Sequence, residues 1–102
     1  MAAGSRPVAW QNRGSIMLKI NYFTDPGHGW AAVKIKVLHD LGIADQISHY
    51  SYSRGKTAYL EEDGDFSVLL NALKSAGIDY SITEKHTDRR HVIRSYQRYM
   101  NT

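Results

Sequence analysis

GWAAVKIKVLHDLG, residues 29–42, decides how the rest of the chain is read. Its apolar positions Trp30, Val33, Val37, Leu38 and Leu41 recur at steps of three and four, the period of an amphipathic helix, and Gly42 stands where such a helix closes. A helix is therefore predicted from about Gly29. Before it, LKINYFT (residues 18–24) alternates Leu18, Ile20 and Tyr22 against Lys19, Asn21 and Phe23, which predicts a half-buried strand ended by Asp25-Pro26-Gly27. After it, ISHYSYS (47–53) and TAYLEE (57–62) flank Arg54-Gly55-Lys56, and their β-branched and aromatic content predicts a hairpin turning near Gly55. Asp65 is placed to N-cap a second helix carrying Phe66, Leu69, Leu70 and Leu73, with Gly77 as its stop. IDYSITE (78–84) alternates as a fourth strand, and VIRSYQRYM (92–100) reads as a short last helix.

The order βαββαβ, with equivalent Gly42-Ile43 and Gly77-Ile78 steps after the two helices, predicts a ferredoxin-like α+β fold: a four-stranded antiparallel sheet with both helices on one face. Leu18, Ile20, Tyr22, Ala58, Leu60, Ile78, Tyr80 and Ile82 are assigned to the helix-facing core. The other face is expected to be open, carrying Phe23 and Tyr59. Tyr50 and Tyr52 share one face of their strand, either toward the core or on the open side. Residues 1–16 show no sustained period and read as a disordered arm or extension; residues 17–102 form a single domain.

The chain has 102 residues and no cysteine, which excludes disulfide scaffolds, thiol catalysis and cysteine-ligated metals. No apolar run is long enough for a transmembrane helix, and residues 1–16 lack a signal-peptide centre, so a cytoplasmic protein without membrane contact is expected. The formal net charge of +3 is unevenly placed. Residues 1–16 carry +2 through Arg6 and Arg13. Residues 17–84 hold six Lys or Arg against nine carboxylates, −3, and residues 85–102 hold five against one, +4. The basic character belongs to the two ends, and the last segment interleaves Arg89, Arg90, Arg94 and Arg98 with Tyr96 and Tyr99.

Three segments, DPGHGW (25–30), ISHYSY (47–52) and YLEEDGD (59–65), resemble in the same order a group of small uncharacterised proteins of bacteriophages, prophages and other mobile elements. The resemblance runs from about Met17 to Tyr99. It implies a phage-type origin and action in a bacterial host cytoplasm, and it carries no activity that transfers to residues here.

DPGHGW joins a strand to a predicted helix, where backbone N–H groups and two glycines would receive an anion between His28 and Trp30. Both phosphate-loop patterns are absent, and a tight turn anchored by Trp30 is the favoured reading. EEDGD (61–65) gathers four carboxylates, but it does not match a calcium loop, and acidic residues at a helix start favour the macrodipole. The five histidines show no zinc spacing, so no metal and no cofactor are assigned. A His28 acid–base pair with Glu61 or Glu62 requires the fold to bring two loops together, and it supplies the enzyme alternative, a small hydrolase or metal-dependent enzyme. Exposed aromatics with mixed charges are the material of protein interfaces. The sequence therefore points to an accessory protein that binds a host macromolecule, a protein first, through His28, Trp30, Tyr50, Tyr52, Tyr59, Arg89, Arg90 and Arg94. A single-stranded nucleic-acid-binding module using the same aromatics and arginines is the alternative.

Overall fold

The structure is a computed structural model that describes residues 17–100; the arm expected at residues 1–16 lies outside the described residues. The chain is α+β, with strands β1 (Leu18–Thr24), β2 (Gly29–Lys34), β3 (Tyr52–Arg54), β4 (Thr57–Glu61), β5 (Tyr80–His86) and β6 (Gln97–Arg98). Helices α1 (Ile35–Asp40) and α2 (Asp65–Ala76) lie between them, with 3-10 turns at Ala44–Gln46 and Val92–Ser95. The six strands form one sheet in the order β5-β1-β2-β4-β3-β6. The β5–β1 pair is parallel and the other pairs are antiparallel.

This corrects the four-stranded antiparallel ferredoxin-like expectation, and residues 29–34 are the cause. They form a central strand, in hairpin register with β1 (Phe23↔Trp30, Tyr22↔Ala31) and paired on its other side with β4 (Ala31↔Leu60, Val33↔Ala58). Trp30 is buried on one face while Ala31 and Val33 are buried on the other. A strand covered on both faces loses polar–apolar alternation, and its apolar run merged with the stripe of a helix that starts only at Ile35.

Elements with a strong local signal fall where expected. Strand β1 runs over Leu18–Thr24, Gly55 turns the β3–β4 hairpin with φ 59°, and α2 is closed by Gly77 with φ 69°. The two Gly-Ile steps are the same device. Gly42 N–H donates to His39 O and Ile43 N–H to Leu38 O after α1; Gly77 and Ile78 repeat this with Lys74 and Leu73 after α2. Both are Schellman closures with a buried isoleucine just beyond the glycine. The first hairpin arm is shorter than predicted, because residues 47–51 leave the sheet to wrap around Asp65.

The main core lies between the helices and one sheet face. It contains Ile20, Ala31, Val33, Leu38, Ala58, Leu60, Leu69, Leu73 and Ile78, with Tyr22 stacked on Phe66 at its margin. Tyr80 and Ile82 keep the predicted phase, paired with Leu18 and Ile20, but they stand on edge strand β5 and remain 38% and 45% exposed.

The second face is not open as expected. After β5 the chain crosses it to reach β6 at the opposite edge. His91 meets Phe23 edge-on at 5.3 Å, Tyr96 tilts against Tyr59 at 5.2 Å, and Ile93 is 1% exposed. The predicted last helix is instead the 3-10 turn Val92–Ser95 followed by β6. Tyr99 then enters the main core, its hydroxyl donating to Ala44 O and its N–H to Ser51 O.

Candidate functional site

The turn between β1 and β2 is organised by one buried carboxylate. Asp25 Oδ1 accepts from Gly27 N–H and His28 N–H, both at 2.9 Å, and Oδ2 accepts from His91 N–H at 2.9 Å. The Arg94 guanidinium completes the set through Nε to Oδ2 at 2.7 Å and a terminal nitrogen to Oδ1 at 2.8 Å. The Arg94 bonds, reinforced by the backbone donors, hold Asp25 well below the usual carboxylate range against the opposing effect of burial. Asp25 likewise raises Arg94.

Glu62 takes the next amide. Its Oε1 accepts from Gly29 N–H at 2.9 Å and its Oε2 from the Tyr22 hydroxyl at 3.3 Å. Burial, with Glu62 as the next cause, pushes the Tyr22 hydroxyl up to about 12. The turn amides suggested as an anion site are thus taken by the chain's own carboxylates.

The acidic loop is also spoken for. Asp65 is not the N-cap; Gly64 holds that position. Glu61 reaches over the helix start and accepts from Asp63, Gly64 and Asp65 N–H at 2.7–2.9 Å. Asp65 turns inward and accepts from Ser48 N–H, Ser48 Oγ and the buried Ser51 Oγ. Among the described residues no group of three or more His, Cys, Asp or Glu is placed to hold a metal. His28 and Glu62 do come together, Nδ1 to Oε1 at 3.8 Å, a separation longer than a hydrogen bond.

Between the β1–β2 turn, the acidic loop and the crossing segment lies a cleft of about 710 Å³, lined by His28, Trp30, Tyr50, Tyr52, Arg90 and Arg94 together with Arg98, Glu61, Asp63 and Gly64. Trp30 is its floor. The Arg94 guanidinium stands 5.5 Å over the Trp30 ring, Tyr52 meets that ring edge-on at 6.3 Å, and Arg98 sits 4.6 Å over Tyr52. Cation and aromatic therefore alternate along one wall. Tyr50 projects at the mouth, 65% exposed.

Six of the eight residues selected from the sequence line this cleft, and two do not. Tyr59 lies beneath Tyr96, where burial raises its hydroxyl, and Arg89 is exposed at the start of the crossing segment. The question left open for Tyr50 and Tyr52 resolves away from the core, Tyr52 pairing with Tyr59 on the second face. The eight leave out Arg98, which the sequence places only in the basic last segment, and the acidic rim of Glu61 and Asp63, which it places at a helix start. Arg90, Arg94 and Arg98 recur every fourth residue, but the segment is not helical; the crossing path brings them to one cleft.

No helix among the described residues is long and apolar enough to cross a membrane. No family model, curated protein or solved structure matches the chain.

Proposed function

We propose that the protein is a binding module that grips a partner protein in the cleft floored by Trp30, and that it acts in a bacterial cytoplasm as a phage or mobile-element accessory protein. The origin rests on the resemblance of the three segments alone. The binding role is supported by one observation above the others: Tyr50, Arg90 and Arg98 present exposed side chains around buried Trp30 and half-buried Tyr52, the residue types that dominate protein hot spots. Arg90 and Arg98 have no ion-pair partner among the described residues, while exposed Asp63 adds the opposite charge to the lining. A partner segment that inserts an apolar side chain and brings a carboxylate to the arginines matches this arrangement.

The carboxylates that acid–base or metal chemistry would use are bound to backbone amides and serines, which disfavours the enzyme reading. The test is site-specific photocrosslinking in bacterial cells, with the photoreactive residue replacing Tyr50 in the cleft or Ser75 on the far side, in α2. A discrete protein adduct from position 50 and none from position 75 is expected. Equal labelling from both positions, or none from position 50, would remove the cleft from the account.

A further inference from the structure

At one end of the sheet's second face, the crossing segment touches the row of side chains among the described residues at Arg54, whose guanidinium stands 5.3 Å over the Tyr96 ring, and leaves Lys19 and Lys34 exposed. Strand register places the side chains of this face in rows. Lys19 is level with Ser81 of β5, and Lys34 is level with Thr57 of β4, which is level with Arg54 of β3. The β1–β2 register, Asn21↔Ala32, continued two residues along the same face, sets Lys19 beside Lys34. The row Ser81, Lys19, Lys34, Thr57, Arg54 thus crosses five adjacent strands with three cations. The next row, Thr83, Asn21, Ala32, Tyr59 and Tyr52, holds no carboxylate either.

Adjacent cross-strand lysines repel and cost stability unless something anionic lies over them. Lys19, Lys34 and Arg54 are exposed and have no ion-pair partner among the described residues. Asp79, just before β5, lines a hollow with Leu70 and Lys74 beside α2. Glu61, two rows away, is bound to the amides of the α2 start. The −3 count of residues 17–84 therefore conceals a local sorting of charge: the acids lie mainly in the connections and on the helix side, while Lys19, Lys34 and Arg54 stand together at this end of the sheet.

We infer that this strip is a second binding site, separate from the cleft, and that it holds the backbone of a single-stranded nucleic acid. Three cations over β1 to β3 span about 14 Å at the strand spacing, room for a short run of phosphates. A hollow of about 320 Å³ runs between Lys19 and Lys34 and reaches Phe23 and Tyr59, half-buried rings that His91 and Tyr96 contact from the crossing segment, and a base would rest against the ring surface left open to the hollow. Ser81, Asn21 and Thr57 add hydroxyl and amide groups of the kind that bond phosphate and sugar. The strip is part of a sheet, with no element among the described residues projecting from it to enter a duplex groove, so a single strand is the occupant.

Fluorescence anisotropy of a labelled ten-nucleotide oligo-dT or oligo-U against the full chain, titrated over salt, tests this. With three cations engaged, the log–log salt slope is expected near about −2, and Lys19→Gln with Lys34→Gln should cut it by roughly 1.4 while lowering affinity. The equivalent double change on the helix side, Lys36→Gln with Lys74→Gln, and Arg90→Gln in the cleft should leave the slope unchanged. All are exposed positions, and a melting curve verifies that each variant folds. Three results would overturn the inference: no binding at about 50 mM salt, an equal loss from the helix-side pair, or a duplex bound as tightly as the single strand. None of these touches the cleft, which the crosslinking experiment addresses separately.

Discussion

Asp25 and Arg94 are 69 positions apart and form a two-pronged ion pair, Nε to Oδ2 at 2.7 Å and a terminal nitrogen to Oδ1 at 2.8 Å. The pair ties the β1–β2 turn to the crossing segment and so fixes two walls of the cleft. Asp25 Oδ2 also takes the His91 amide, so the segment is held through its backbone as well as through the arginine. A short loop-like stretch thereby becomes a rigid wall.

Removing that carboxylate should be costly. Asp25→Ala leaves an arginine and three amides without their acceptor, and a loss of about 3–5 kcal/mol in denaturant unfolding is expected. The wild-type pH profile should show the same group. Asp25 lies lower in the folded chain than in the unfolded one, so its contribution is complete above about pH 4 and declines as pH falls below that toward the folded value. Asp25→Asn should flatten this acid limb; an unchanged limb would mean other carboxylates carry it.

Gly29 is fixed by Tyr22. A Cβ at position 29 would overlap the Tyr22 hydroxyl and lie 2.6 Å from the ring carbon that bears it. Gly29→Ala should destabilise by about 1–3 kcal/mol, as overpacking does. Combining it with Tyr22→Phe removes the closest atom and should recover part of the loss, a coupling that a double-mutant cycle reads directly.

The crossing segment should behave as packed structure. Ile93 is buried on the second face, and Ile93→Ala should cost about 2–5 kcal/mol by calorimetry or denaturant unfolding. The neighbouring Val92 is exposed, and its change to Ala should be near neutral. Equal effects at the two positions would contradict the path across the sheet.

What could be read from the sequence follows from how local each signal is. Strand β1, helix α2, the Gly55 turn and the two glycine closures declare themselves within a few residues. Strand β2 does not, because burial on both faces erased its alternation, and one wrong element turned a six-stranded sheet into a four-stranded one. The cap of α2 was misassigned because Glu61 and Asp65 are both acids within one turn's reach, and only Ser48 and Ser51 decide which faces inward. The cleft residues were recognisable as residue types, yet their convergence depends on Asp25 meeting Arg94. Tyr59 and Arg89 are of the same residue types and fall outside it. The basic strip was hidden from a segment count because strand register, not chain order, sorts Lys19, Lys34 and Arg54 together.

The most direct test of the account is the affinity of the protein crosslinked at position 50, once identified, for wild type and three single variants: Tyr50→Ala, Arg90→Gln and the far-side control Lys74→Ala. The cleft reading predicts a loss of roughly 30-fold or more for Tyr50→Ala, about 2 kcal/mol, a clear loss for Arg90→Gln, and no change for Lys74→Ala. Equal affinities for all four proteins would contradict it.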